Sequence, residues 1–127
     1  MFEKLELTRM AQALAAQSAA RMAVIAENVA NADTPGYKAR DVPAFAEVYE
    51  EAGLEMRATR PGHLSAPSTT TASIPDTARG HESPNGNSVS LEAEMVKSVE
   101  ARQNHDMALA IYRATSDVIR TSLGRSR

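Results

Sequence analysis

Residues 25–41 decide how this chain folds, and they read Ile25-Ala26-Glu27-Asn28-Val29-Ala30-Asn31-Ala32-Asp33-Thr34-Pro35-Gly36-Tyr37-Lys38-Ala39-Arg40-Asp41. The segment before this stretch is rich in Ala and contains neither Pro nor Gly, which favours a helix. Asn31 stands where a helix end commonly takes a residue that tolerates left-handed backbone angles. Pro35 disfavours helical geometry at Thr34, so the helix must end before it. The stretch therefore ends a helix and redirects the chain.

A tight turn follows the helix end. In a type II turn, proline presets φ at the second position and glycine supplies the positive φ required at the third. The sequence has both residues in that order, so we predict a turn motif at Thr34, Pro35, Gly36 and Tyr37. A β-branched residue would be strained at the position of Gly36.

Two long helices are predicted, one at each end of the chain. The first occupies residues 1–33, where Ala, Leu, Met, Gln, Glu and Arg dominate. The second occupies residues 90–127, with Ser90 as a favourable N-cap and Gly124 as a favourable stop. We expect the helices to pack as a coiled-coil-like pair and to form one discontinuous domain, which makes the fold class mainly α.

The middle of the chain, residues 34–89, holds the turn and an irregular segment rich in Pro, Gly, Ser and Thr. Residues 45–49 are compatible with a short helix. Residues 54–59 alternate between apolar and polar side chains, which is typical of a short strand. Few apolar residues and many helix breakers leave this segment little surface to bury.

Each long helix carries an apolar stripe whose residues repeat every 11 positions. Ala11 and Met22 show the repeat in the first helix, and Val96, Met107 and Val118 show it in the second. An 11-residue repeat favours nearly straight packing over a left-handed heptad coil.

Such a stripe is either the core face of a single domain or a face built for other chains. Two helices form only a thin seam for a chain of 127 residues, which favours a subunit that its neighbours complete. Asn28 and Asn31, on one helix face, could cap free carbonyls or hydrogen-bond to an adjacent subunit, and both remain open. The predicted subunit-interface residues are Leu7, Leu14, Met22, Ile25, Asn28, Val29, Asn31, Val96, Val99, Gln103, Met107, Ala110, Ile111 and Val118.

The composition argues against several function classes. A net charge of −2 argues against a nucleic-acid groove, and the absence of cysteine excludes disulfides and cysteine metal sites. The three histidines, at positions 63, 81 and 105, have no helical zinc-site spacing. No phosphate-binding glycine loop or nucleophile elbow is present. We therefore predict no enzyme activity, no cofactor, no metal and no small-molecule substrate.

The segment Asn-Val-Ala-Asn-Ala-Asp-Thr-Pro-Gly-Tyr at residues 28–37 closely resembles the N-terminal signature of bacterial flagellar rod and hook proteins. Residues 87–96 resemble the family more loosely. Ser90 stands where family members often have Asp, and both are good N-caps. The resemblance implies a structural subunit that polymerises through its terminal helices into the hollow axial tube that serves as the drive shaft. The continuation at residues 38–41 is most similar to the family member nearest the membrane ring, in the proximal rod.

The resemblance also implies partners and a location. The partners would be further copies of the chain, the next rod protein FlgC, the adaptor FliE, the membrane ring and the flagellar export apparatus. The location would be the periplasmic rod of the basal body, reached by type III export. The N-terminus lacks a basic region, so we expect no cleaved signal peptide. Two alternatives are a FlgC-like rod subunit and a stand-alone helical adaptor that dimerises through the same stripes.

Overall fold

The computed structural model describes residues 2–52, 74–75 and 82–124, with side chains described at 5–49 and 82–124. Within these ranges the fold is mainly α, as predicted. Three helices and two short strands follow in the order α1 (Phe2–Ala30), β1 (Arg40–Asp41), α2 (Phe45–Ala52), β2 (Ile74–Pro75) and α3 (Leu91–Ser122). The strand predicted at residues 54–59 lies outside the described residues.

Helix α1 ends at the predicted place, but by a different device from the predicted one. Its last turn closes with hydrogen bonds from the Asn31 amide to the carbonyls of Glu27 and Asn28, both at 3.1 Å. Among the described residues only glycines have positive φ, so the expected left-handed geometry at Asn31 is wrong. A side chain from a distant part of the chain caps the helix instead, as described below.

Helix α3 begins and ends at the predicted signals. The Ser90 hydroxyl accepts a hydrogen bond from the Ala93 amide at 3.4 Å, which confirms Ser90 as the N-cap. Glu92 and Glu94 lie in the first turn, where negative charge complements the helix dipole. Gly124 follows the C-cap residue Leu123 and has φ of 70°, the left-handed value common just after a helix end.

The two long helices pack against each other in antiparallel orientation. Asn28, near the end of α1, contacts Glu94, in the first turn of α3, while Ala11 and Ala108 line one groove further along. We call the surface between them the inner seam. Its buried residues are Ala11, Ser18 and Ile25 on α1, and Glu94, Ala101, Ala108 and Thr115 on α3.

These seven residues recur every seven positions on their helices, and Gln17 and Asn28 are also buried on α1. The predicted 11-residue repeat therefore does not describe the contact between these helices. Four of the seven are Ala or Ser, whose small side chains let the helix backbones approach closely. Small residues do not stand out in a hydrophobic pattern, which explains why the stripe of larger residues was the more visible feature.

The middle segment returns to the helix pair through a two-stranded antiparallel sheet, with Arg40 opposite Pro75 and Asp41 opposite Ile74. Helix α2 presents Val48, which is buried, and its Phe45 and Tyr49 rings lie 5.4 Å apart. The Gln17 side-chain amide donates to the Pro43 carbonyl at 2.7 Å and anchors this segment to α1. No helix in the described part of the chain is both long and apolar enough to cross a bilayer.

Candidate subunit interface and polar junction

Most of the interface residues predicted on α3 are exposed to solvent. Val96, Val99, Met107 and Val118 have 60, 68, 48 and 48% of their surface accessible. Gln103 and Ala110 are also exposed, and Ile111 is half-buried. The residues of this face that we call the outer stripe are Val96, Val99, Gln103, Met107, Ala110 and Val118.

Most of the outer stripe lies on the side of α3 that faces away from α1, whereas Val118 lies about 60° around the helix from the buried Thr115. Each residue advances about 100° around a helix, so Val99 lies about 140° from Glu94, and Ala110 about 180° from Ala101. Helix α3 thus carries two apolar faces. The inner seam repeats every seven residues and is covered by α1, whereas the outer stripe repeats every 11 and is exposed in the described part of the chain.

The interface residues predicted on α1 fall into three groups. Leu7 and Val29, near the two ends of the helix, are exposed at 39 and 44%. Leu14, Met22 and Asn31 are half-buried. Ile25 and Asn28 are buried within the chain itself.

Beyond the outer stripe, polar side chains meet where α1 ends and α3 begins. We call this cluster the polar junction and define it as Arg21, Asn28, Asp41, Asn87, Glu94 and Lys97. Its centre is Asn28, which has no solvent exposure. The Asn28 amide nitrogen donates to the Arg40 carbonyl at 2.6 Å and to a Glu94 carboxylate oxygen at 3.0 Å. Its oxygen accepts from the Arg40 amide at 3.0 Å and from the Tyr37 hydroxyl at 3.3 Å.

Asn87 holds the end of α1 from a position 56 residues further along the chain. Its side-chain nitrogen lies 2.9, 2.8 and 2.8 Å from the carbonyl oxygens of Asn31, Ala32 and Thr34. Carbonyls after a helix end lack partners within the helix, so a buried amide donor satisfies them. Asn87 is 1% exposed, and its own oxygen accepts from the Val89 amide at 2.7 Å.

The turn motif is held by the segment that leads into α3. Gly36 has φ of 72°, the positive value that a type II turn requires, and its amide donates to the Asn85 carbonyl at 3.0 Å. The Ser88 amide donates to the Tyr37 carbonyl at 3.1 Å. Lys38 also forms an ion pair with Glu82. The segment at residues 82–88 therefore lies along the turn and ties the two halves of the chain together.

Charge pairs surround the buried amides. Arg21 donates to both carboxylate oxygens of Asp41, at 2.9 and 3.0 Å, and lies 3.7 Å from Glu100. The Lys97 ammonium lies 3.0 Å from Glu94 and 3.8 Å from Asp41. These contacts give each partly buried charge an opposite charge nearby, as burial demands.

The pKa values at the polar junction follow from these contacts. Burial acts to raise the pKa of Asp41, but the hydrogen bonds from Arg21 and the Val42 amide, with the charges of Arg21 and Lys97, outweigh it. The pKa of Asp41 is therefore below its usual value. The hydrogen bond to Asp41 raises the pKa of Arg21, and burial raises the pKa of Tyr37. The Arg21–Asp41 pair therefore remains ionised at neutral pH.

Sequence reasoning did not identify most of the polar junction. Asn28 was singled out, but Arg21, Asp41, Asn87, Glu94 and Lys97 were not. Asn87 follows an Asn-Gly pair that signals only a turn, and Glu94 fits the ordinary preference for acids in a first helical turn. Their burial depends on partners 53–66 residues away, which no local pattern reports.

The arrangement is suited to holding helices together. Among the described residues no group of three or more His, Asp or Glu side chains could hold a metal ion. An open groove of about 220 Å³ lies between α1 and α3, lined by Ala11, Gln12, Ala15, Ala108, Leu109 and Tyr112. It is almost wholly apolar and carries no reactive side chain beside it apart from the Tyr112 phenol.

Known proteins resemble this chain over most of its length. Residues 10–38 match the model of a family described as flagella basal body rod protein. A flagellar basal body rod protein FlgB from Agrobacterium fabrum is 29% identical over 118 residues, which cover 88% of each chain. A flagellar basal body rod protein FlgB from Salmonella typhimurium is 28% identical over 103 residues, covering 73% of this chain and 75% of the relative. The match to the family model contains Asn28 and the whole turn motif.

Proposed function

We propose that this chain is a structural subunit of the proximal rod that joins its neighbours through the outer stripe of α3, because residues 10–38 match the flagella basal body rod protein family and two FlgB proteins are 28–29% identical over most of its length. The family is structural rather than enzymatic. The observation that supports this use of α3 is an apolar face that extends from Val96 to Val118 and is exposed to solvent among the residues that the structure describes.

The size of the outer stripe supports a stable contact between subunits. Val96, Val99, Met107 and Val118 each leave about half or more of their surface in water. Burying a large apolar side chain fully contributes about 1.5–3 kcal/mol. Four such residues on one face would therefore supply several kcal/mol toward association, before the entropy of binding is subtracted.

The finer proposals concern partners and location. We propose that copies of this chain assemble with one another, with FlgC and with the adaptor FliE, between the membrane ring and the export apparatus. The chain would occupy the periplasmic part of the basal body after export without a cleaved signal peptide. Residues 1–33 and 90–127 would form the polymerising domain, with residues 34–89 inserted between them. The two FlgB relatives support placement in the rod, and the individual partners are inferences from the family.

The competing function is a stand-alone helical adaptor that dimerises through the outer stripe. A FlgC-like rod subunit is the second alternative. Cells lacking this chain should lack rods, and the chain should co-purify with basal bodies from wild-type cells. Sedimentation distinguishes the adaptor from a rod subunit. An adaptor forms a discrete dimer at all concentrations, whereas a rod subunit is monomeric until it polymerises. A discrete dimer absent from purified basal bodies would contradict the rod proposal.

A further inference from the structure

We propose that the polar junction is a register lock, which selects one of several nearly equivalent alignments of α1 against α3. The inner seam has a repeat of seven on both helices, and its buried residues are mostly small. Such a seam can slide by seven residues and bring similar side chains together again. Packing of small side chains alone would then discriminate weakly between alignments.

Asn28 and Glu94 remove this degeneracy because each is fully buried and each depends on the other. In the observed alignment the Asn28 amide donates to Glu94, and Lys97 neutralises the carboxylate. A slide of seven residues would place Ala101 rather than Glu94 against Asn28. The hydrogen bond between the Asn28 amide and the Glu94 carboxylate would then be lost, while Lys97, on the same helix, would stay with Glu94. Buried polar pairs specify register in helix pairs in this way.

Asn87 strengthens the same selection from outside the seam. It lies seven residues before Glu94 and contacts three carbonyls after α1. Any slide of α3 would pull Asn87 away from these carbonyls, of which those of Asn31 and Thr34 also accept from the Thr34 and Tyr37 amides, and the Ala32 carbonyl would lose its Asn87 donor. Arg21 provides a third constraint, since it contacts Asp41 and also reaches Glu100 on α3.

The register has a consequence for the proposed assembly. The outer stripe has a fixed position along the helix axis, relative to the turn motif, only if α3 has a single alignment against α1. In a population of chains with different registers, the outer stripe would be displaced along the helix axis from one chain to the next, and neighbouring subunits would not match. The lock itself is a property of the single chain, so it can be tested whether or not the chain builds a rod.

Spin labels on the full chain measure the register directly. The chain has no cysteine, so Ala26→Cys and Asp117→Cys, both at exposed positions, provide unique label sites. The observed alignment places these positions about 32 Å apart along the helix axis, and a slide of seven residues changes this by about 10 Å. Electron–electron resonance resolves such a difference. We expect one narrow distance in the otherwise unchanged chain, and a broad or multiple distribution there would overturn the proposal.

The lock is then removed with Asn87→Ala combined with Glu94→Leu. A second distance maximum, shifted by about 10 Å, is expected. The matched control combines Glu92→Leu with Ser98→Ala, two exposed positions of α3 outside the polar junction and the outer stripe, and should keep the single distance. If the lock-free chain loses its helical circular dichroism, Glu94→Leu alone decides by the same measurement. A single unshifted distance in the folded variant, equal to that of the control, would contradict the proposal.

Discussion

At the scale of single residues, two kinds of position determine the fold: a glycine that sets a backbone angle in the turn, and buried polar side chains that set the alignment of α1 against α3. Gly36 has φ of 72°, and a Cβ added there would meet nothing within 4 Å. Any cost of replacing it therefore comes from the backbone and not from a steric clash with neighbours. For Asn28 and Asn87, by contrast, the cost of replacement comes from the hydrogen-bond partners that each side chain would leave.

We expect a graded loss of stability when Gly36 is replaced. Asn tolerates left-handed geometry better than Ala, and a β-branched residue tolerates it worst. Gly36→Asn should cost least and Gly36→Val most, about 1–2 kcal/mol in the free energy of unfolding. Urea unfolding of Gly36→Asn, Gly36→Ala and Gly36→Val measures this order. Equal stability of Gly36→Val and the unchanged chain would show that the turn does not need positive φ.

Acid should weaken the Arg21–Asp41 pair. Because the pKa of Asp41 is lower in the folded chain than in the unfolded chain, the pair stabilises the fold above the ordinary aspartate pKa of about 3.9. This stability is lost as the pH falls below that value through the folded pKa. The difference in unfolding free energy between the unchanged chain and Asp41→Asn should therefore shrink as the pH falls below about 3.9. A difference that stays constant as the pH falls would contradict the assigned role of Asp41.

At the scale of helices, α1 and α3 have different exposure patterns although their sequences predict similar stripes. Ile25 on α1 is 4% exposed, and Val99 on α3 is 68% exposed. Both were predicted to be interface residues for the same reason, an apolar side chain at helical spacing. The difference arises because α3 contacts α1 mainly through small residues. The larger apolar residues of α3 lie outside this contact and are exposed.

We expect the same substitution to act differently on the two helices. Ile25→Asp places an unpaired charge in the inner seam and should cost about 3–5 kcal/mol. Val99→Asp places a charge in water and should change the unfolding free energy by less than about 0.5 kcal/mol. Thermal melts followed by circular dichroism compare them. Similar melting temperatures for the two variants would mean that the inner seam is wrongly assigned.

The cap of α1 by Asn87 gives a second prediction at this scale. Asn87→Ala removes the donor to three carbonyls and should cost about 1–2 kcal/mol. Asn87→Asp should be worse, since a carboxylate cannot donate and would repel the negative end of the helix dipole. Hydrogen exchange at the amides of residues 31–34 should accelerate in both variants. Unchanged exchange there would show that the cap does not hold the helix end.

The sequence predicted helix positions and ends well because these depend on local chemistry. Ser90, Gly124 and Pro35 act within a few residues of themselves. On α3 the inner seam was not predicted, because its Ala101 and Ala108 contribute little to a hydrophobic pattern, whereas Ala11 and Ile25 on α1 were part of the predicted stripe. The polar junction was not predicted either, since Glu94 is a surface residue by every local criterion and becomes buried only when α1 covers it.

At the scale of the whole molecule, one chain contains two apolar surfaces with different periods. The inner seam, with its repeat of seven, is satisfied within the chain. The outer stripe, with its repeat of 11, stays exposed and favours contact with nearly straight helices. The polar junction links the two by fixing α3 relative to α1 and the turn. Folding of the subunit therefore uses the inner seam, and its proposed polymerisation uses the outer stripe.

The most direct test of that separation compares Val99→Asp with Ser98→Asp in cells that lack the unchanged chain. The two positions are adjacent, both are exposed, and both variants gain one negative charge, but only Val99 belongs to the outer stripe. The measurement is the amount of each variant in purified basal bodies, relative to its total amount in the cell. We expect Ser98→Asp to be incorporated normally and Val99→Asp to be largely absent although it folds as well. Normal incorporation of Val99→Asp would contradict the claim that the outer stripe joins the subunits.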